Sequence, residues 1–238
     1  MLKPPIHIFT DFDGTITIED LGDKIFDVFG AFSTYYPQLT SGLLTVPAYW
    51  QRLAASIHAG TTLHVLRSWA LEQPADTYFR GFVDFCQTNA LPLTVVSDGF
   101  DVYIDAVLER EGAANVPRYC NRLQYNDGVF MPEYPGRDES CTCFCASCKR
   151  NNVLRSVPPE ALIVYIGDGY SDFCAAEHAD IIFAKKALAA YCNRQRLPHY
   201  PFTNFADVKT ILEGLLARRR LKYRHQAMLK RKEAFETE

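Results

Sequence analysis

Three apolar runs along the chain each end in a polar turn. Residues 6–10 (IHIFT) lead into Asp11-Phe12-Asp13-Gly14-Thr15, residues 91–96 into Ser97-Asp98-Gly99, and residues 161–166 into Gly167-Asp168-Gly169-Tyr170-Ser171-Asp172. Short apolar runs bounded by glycine and aspartate predict buried strands. Further strands are predicted at residues 118–125 and 180–184, with a hairpin-like piece reaching Pro135. Apolar residues spaced three and four apart predict helices near 20–29, 46–58, 62–72, 74–89, 101–111 and 172–178, and another just after Lys149. Strands alternating with helices imply an α/β fold, a doubly wound parallel sheet. Such a sheet keeps its ligand site at the carboxyl ends of its strands, which is where the three polar turns fall.

About eighty residues lie between the first turn and Ser97, too many for a simple crossover. Residues 17–89 are therefore expected to form a helical cap inserted into a core made of residues 1–16 and 90–215, with the last cap helix returning the chain to the core. A cap of this kind closes over a small substrate and excludes water. Residues 137–149 form a cysteine-rich loop within the core, and residues 216–238 a basic tail. A chain of 238 residues, 48% of them hydrophobic, is large enough for one domain with such an insertion.

Alternation along an extended chain points Asp11 and Asp13 to the same side, so both can face one ligand. Two carboxylates that close need a counterion, and Mg²⁺ supplies it with one or two carboxylates, waters and a substrate phosphate as ligands. An isolated D-x-D is also compatible with a strand that merely ends in an acidic turn. The second acidic cluster at Asp168 and Asp172, the Ser97 turn and the basic Lys149 together favour a site for a phosphorylated ligand. Asp172 is also compatible with an ordinary carboxylate at a helix N-terminus.

The residues from Asp11 to Thr15, Ser97, Lys149, and Gly167 to Asp172 resemble the four motifs of the haloacid dehalogenase superfamily of phosphotransferases. Within it the chain looks like the branch that holds phosphoserine phosphatase and the methionine-salvage enol-phosphate phosphatase. Cys120-Asn121-Arg122-Leu123 and the stretch from Phe183 through Lys186 to Val208 support that branch, and the cysteine-rich stretch running into Lys149 is most like the salvage enzyme. The resemblance implies a hydrolase with an aspartyl-phosphate intermediate. Asp11 would attack phosphorus and Asp13 would act as acid and then base. Mg²⁺ would lie between Asp11, the backbone carbonyl of Asp13 and Asp168, with Asp172 orienting a metal-bound water or Lys149. Ser97, Asp98, Gly99 and Lys149 would surround the phosphate, and Lys149 is preferred to Lys185 and Lys186 because it matches the third motif. Asp98 departs from the glycine usual in phosphoserine phosphatases. Asp20 and Arg52 resemble the residues that meet the amine and carboxylate of phosphoserine, although a solvated arginine accounts equally for Arg52. The first-choice substrate is a salvage-type enol or keto sugar phosphate, and the second is phosphoserine or a related amino-alcohol phosphate.

Cys141, Cys143, Cys145 and Cys148 crowd into one stretch with the order C-x-C-x-C-x₂-C. A structural Zn²⁺ site, a structural cysteine loop and a redox switch all remain open. The tail from Arg218 holds eight Lys/Arg against three Glu, +5, which leaves −8 for the rest of a chain whose net charge is −3. That asymmetry admits a nucleic-acid or partner-binding module without turnover. The favoured alternative is a solvated terminal helix whose irregular stripe of Leu221, Tyr223, Met228 and Phe235 packs on the body or on a second subunit of a homodimer. No run approaches the roughly 20 apolar residues of a membrane span, and the start does not read as a signal peptide. A cytoplasmic location with a small-molecule phosphomonoester as partner is the expectation.

Overall fold

The computed structural model describes residues 4–137, 143–218 and 221–236. Seven strands form one sheet: β1 (Ile6–Thr10), β2 (Leu93–Phe100), β3 (Arg118–Asn126), β4 (Val129–Glu133), β5 (Leu162–Gly167), β6 (Ile181–Ala184) and β7 (Tyr200–Pro201). Their order across the sheet is β4-β3-β2-β1-β5-β6-β7, and every neighbouring pair is parallel except the β3–β4 hairpin. The order reverses at β1, so the crevice at its carboxyl end is the place where such a sheet binds ligands.

The central strands read as continuous apolar runs because both sheet faces are covered. Ile8, Val95, Val164 and Phe183 enter one hydrophobic cluster, whereas Phe9, Val96, Ile163 and Ile182 enter a second on the opposite face. The first face is covered by α5 (Phe79–Thr88), α6 (Asp101–Arg110) and α10 (Phe205–Ala217). The second is covered by α7 (Lys149–Arg155), α8 (Phe173–His178), α9 (Lys186–Gln195) and α11 (His225–Glu236).

Four helices precede α5: α1 (Leu21–Phe29), α2 (Phe32–Thr40), α3 (Val46–Ala55) and α4 (Leu63–Leu71). Asp20, Thr45 and Thr62 cap α1, α3 and α4 by accepting a hydrogen bond from a backbone N–H in the first turn. Trp50 of α3 packs edge-on against Phe100 at 5.3 Å and tilts against Phe26 of α1 at 5.7 Å, which seats this helical layer over the end of β2. Helix α5 packs on α10, with Phe79 and Phe82 each 5.1 Å from the ring of Phe205.

Two features of the strand ends build the site. Val96 pairs with Tyr119 and Phe100 with Asn121, so residues 97–99 of β2 lie opposite Cys120 alone and bulge from the ladder toward the crevice. At the end of β1, Gly14 turns the chain with φ +66, and a Cβ there would lie 2.4 Å from Asp168 Oδ2.

Among the described residues no helix is long and apolar enough to cross a membrane. The tail differs from its expected stripe. Ala227, Arg231 and Ala234, spaced four and three apart, form the buried face of α11, while Tyr223 and Met228 are exposed. Arginine carries this packing because Arg231 makes a two-pronged ion pair with the buried Asp180, at 3.0 and 3.1 Å, and also donates to the backbone carbonyl of His178. Arg224 donates to the carbonyls of Ala176, Glu177 and Ala179 at the end of α8.

Candidate active site

A cavity of about 230 Å³ opens where β1, β2 and β5 end beneath α1–α3. Asp11 sits on its floor, 4% exposed, and is held from two sides. Phe12 N donates to Asp11 Oδ1 at 2.7 Å, and Lys149 Nζ lies 2.6 Å from the same oxygen. Both contacts are made to Oδ1. Burial, reinforced by Asp172, pushes the Asp11 carboxyl upward, and Lys149 opposes that rise.

Lys149 is itself buried, and burial alone would lower its affinity for a proton. Its ion pairs with Asp11 and with Asp172, at 2.7 Å, outweigh that effect and hold the ammonium charged. Asp172 is saturated. Its Oδ1 accepts from Lys149 and from Tyr165 Oη at 2.6 Å, and its Oδ2 accepts from the backbone N–H of Asp168 and of Gly169, both at 2.9 Å. These donors overcome the burial penalty and keep its carboxyl below the usual range. A carboxylate with four donors is a bracket that fixes Lys149 and the Asp168 turn in place.

Asp13 is half-buried on the same side as Asp11. Leu21 N donates to its Oδ1 at 2.9 Å, while Tyr103 Oη (3.2 Å) and Ser97 Oγ (3.4 Å) approach Oδ2. Desolvation first, and Asp20 second, raise its carboxyl well above the usual range. Ser97 Oγ in turn accepts from Gly99 N at 2.9 Å. Only glycine fits at position 99, because a Cβ there would lie 1.9 Å from Tyr103 Oη and 2.7 Å from Asp13 Oδ2.

The sequence assigned Asp98 to the phosphate group. Its carboxylate is instead consumed by protein donors: Ala146 N and Ser147 N at 2.7 Å and Asn121 Nδ2 at 3.3 Å reach Oδ1, and Trp50 Nε1 reaches Oδ2 at 3.2 Å. Asp98 thus ties the segment leading into Lys149, and the indole of α3, to the bulge of β2. The four donors are neutral, so they hold the carboxylate in place without cancelling its charge.

Asp20 lines the cavity as the N-cap of α1. Arg52 does not reach the cavity. Tyr49, Trp50 and Leu53 occupy the inner face of α3, and Arg52, two residues beyond Trp50, is turned to solvent. Lys186, which the motif argument set aside, does line the cavity: its Nζ lies 2.9 Å from Asp168 Oδ2 and 3.3 Å from the carbonyl of Gly14. Tyr103 carried no sequence signal for a role at the site, since a tyrosine in a helix reads as core. Cys141 lies outside the described residues. Among those described, Cys143, Cys145 and Cys148 form no set with convergent metal-ligand atoms.

The set that does converge is Asp11, Asp168 and Asp172, whose carboxylate oxygens lie within 4.8 Å of one another. An all-oxygen, anionic donor set in a buried crevice fits a hard divalent cation such as Mg²⁺. Thr15 Oγ1 donates to Asp168 Oδ1 at 3.1 Å and so orients that carboxylate.

The family model for haloacid dehalogenase-like hydrolases matches residues 8–177, from β1 through most of α8. The chain is 29% identical over 215 residues to the 2-hydroxy-3-keto-5-methylthiopentenyl-1-phosphate phosphatase of Brevibacillus brevis, covering 89% of this chain and 97% of that one. It is 28% identical over 226 residues to a polyol phosphate phosphatase of Saccharomyces cerevisiae, covering 88% and 93%. Among solved structures, a phospho-aspartyl intermediate analogue of phosphoserine phosphatase superposes with a TM-score of 0.65 at 16% identity, covering 89% of this chain and 99% of that one. At that identity the likeness is one of fold.

Proposed function

This chain belongs to the haloacid dehalogenase-like hydrolase family and is a phosphatase, and we propose that it works through an aspartyl phosphate formed on Asp11, with Mg²⁺ as cofactor. The observation that carries the reading is the pair of aspartates at the end of β1 with opposite equipment. Asp11 is clamped by an ammonium, whereas Asp13 lies beside the Tyr103 and Ser97 hydroxyls with its carboxyl raised by burial.

A phosphate monoester resists water because the attacking water is a poor nucleophile and the departing alkoxide a strong base. A carboxylate nucleophile splits the reaction into two easier displacements. Asp11 Oδ2 attacks phosphorus while Lys149 and Phe12 N hold Oδ1, so the nucleophile is aimed before substrate arrives. As the ester P–O bond breaks, the proton on Asp13 passes to the leaving oxygen. The resulting carboxylate accepts from Leu21 N, Tyr103 Oη and Ser97 Oγ. Asp13 then removes a proton from the water that attacks the aspartyl phosphate, which releases phosphate and regenerates both groups. Acid–base help of this kind contributes about 10² to 10⁴ in rate. Lys149, Lys186 and the backbone N–H groups of the two turns meet the charge that gathers on the phosphoryl oxygens. Asp11 and Asp168 are the carboxylates that would hold Mg²⁺, with Asp172 orienting its surroundings. When bound, the ion offsets the repulsion between an anionic nucleophile and an anionic ester.

The substrate reading is a sugar-derived enol or keto phosphate of the kind named for the Brevibacillus brevis relative. Leu39, Val46 and Trp50 give the cavity an apolar wall suited to an aliphatic tail. Of the two residues that pointed to phosphoserine, Asp20 lines the cavity but Arg52 is turned to solvent. Hydrolysis of para-nitrophenyl phosphate should require Mg²⁺ and fall at least 10³-fold in Asp11→Asn. Retention of metal-dependent turnover in that variant would remove Asp11 from the mechanism, and salt-sensitive nucleic-acid binding without turnover would replace the enzyme with a binding module.

A further inference from the structure

Three aromatic side chains line the catalytic cavity and yet stand largely in solvent: Tyr36 of α2 is 41% exposed, Phe144 50% and Tyr170 67%. The other aromatic lining residues, Tyr49, Trp50 and Tyr103, are buried. A side chain that both lines a cavity and meets solvent lies where the cavity opens, so these three belong to its mouth. Apolar surface left in water at the rim of a ligand site is surface that a bound ligand can cover.

Each of the three is held in place. Tyr170 lies in the turn that Asp172 brackets through Gly169 N, and its ring rests at 5.4 Å on Phe173, which stacks on Tyr191 at 3.9 Å. Tyr36 stacks on Phe32 at 4.9 Å. Phe144 shortly precedes Ala146 and Ser147, whose backbone N–H groups are tied to Asp98. Rings fixed in advance lose little freedom when a ligand arrives.

We infer that Tyr36, Phe144 and Tyr170 form an aromatic collar that grips the far end of the leaving group, which makes them specificity-determining residues that sort phosphate esters by the length of their apolar part. This inference rests on the phosphatase reading and adds to it the side chains that choose among esters. Phe144 and Tyr170 come from the core, so the choice of substrate is shared between the core and the helical layer above it. A short leaving group stays among the polar groups of the floor and leaves the collar wet. A longer apolar one reaches the rings and displaces water from them. A methylene that becomes fully buried contributes about fourfold in binding, and one half-covered at an open rim about twofold.

The test is the series ethyl, butyl and hexyl phosphate in the presence of Mg²⁺. For the wild-type enzyme kcat/KM should rise about tenfold or more from the ethyl to the hexyl ester. That hexyl-to-ethyl ratio should shrink about threefold in each of Tyr36→Ala, Phe144→Ala and Tyr170→Ala, mainly through KM. Tyr170→Phe and Phe144→Leu keep apolar surface at the rim and should hold the ratio near the wild-type value. The ratio is taken within one preparation, so a general loss of activity cancels. All three side chains are well exposed, so the truncations should leave the fold intact. A flat series in the wild type, an undiminished ratio in any alanine variant, or a loss in Tyr170→Phe equal to that in Tyr170→Ala overturns the collar. Turnover of para-nitrophenyl phosphate in the same preparation separates that outcome from failure of the phosphatase reading, under which no ester in the set would be hydrolysed.

Discussion

Single residues here do more than one task, and Asp98 shows how far that can be read in advance. Its position after Ser97 gave it to the phosphate group, because sequence adjacency was the one signal available. Asp98 lines the cavity, but its carboxylate is occupied by Ala146, Ser147, Asn121 and Trp50, partners 23 to 49 residues distant in sequence, which no local pattern encodes. Asp98→Ala should leave two backbone N–H groups and an indole N–H without their acceptor, at about 1–3 kcal/mol for each that stays buried. Thermal unfolding should show that loss, and kcat should fall more than KM rises because Lys149 loses its support. Asp98→Asn keeps an acceptor for the loop but sets an NH₂ against Trp50 Nε1, so it should recover most of the stability. An Asp98→Ala enzyme with unaltered kcat would show that the segment before Lys149 is held by other means. By contrast Asp11, Asp13 and Asp168 were visible from sequence, since a carboxylate at the end of a buried strand in an open α/β sheet has few alternatives. Arg52 failed as an expectation because its match was a short one, made without the helical phase that turns it outward.

Elements with clean periodicity were legible and those without it were not. The central strands appear at their expected places within two residues, because a strand buried on both faces is a continuous apolar run, except that β2 continues four residues past Val96 to Phe100. Helix α2 was missed: Pro37 lies inside it, and its residues Phe32–Thr40 include a single buried position, Leu39. Helix α5 begins at Phe79 rather than near residue 74, because Ala75 bridges to Thr17 and Asp76 folds the intervening turn. Asp76 is 4% exposed and accepts from Tyr78 N and from Phe205 N, both at 2.9 Å, so one side chain starts both α5 and α10. Asp76→Ala should cost about 1–3 kcal/mol in urea unfolding while kcat stays within about twofold, since the residue lies outside the cavity. A large loss of kcat with unaltered stability would contradict that assignment.

At the scale of the whole molecule, part of the positive charge of the tail is taken up in packing. The basic tail folds back on α8 through Arg224, Arg231 and Lys230, and meets Glu177 and Asp180. A hydrophobic-stripe argument could not find this, because arginine was the residue it treated as solvent-facing. His178, at the same junction, is held down to about 4 from 6.5 by burial, the carbonyl of Cys174 opposing the shift by accepting from Nδ1. The unfolded chain therefore binds a proton near pH 6.5 that the folded chain refuses until about pH 4, and stability must fall as pH drops through that window. The loss should be on the order of 3 kcal/mol, read as a decline in unfolding free energy between those limits, and His178→Gln should flatten the slope.

The central claim is that one side chain, Asp11, carries the phosphoryl group between substrate and water. Acid quenching during steady-state turnover of a ³²P-labelled ester, followed by peptide mapping, tests it directly. The expected result is a hydroxylamine-labile phosphate on the peptide that contains Asp11, lost in Asp11→Asn. Label on a different side chain, or turnover at full rate with no covalent phosphate trapped at any time, would contradict it.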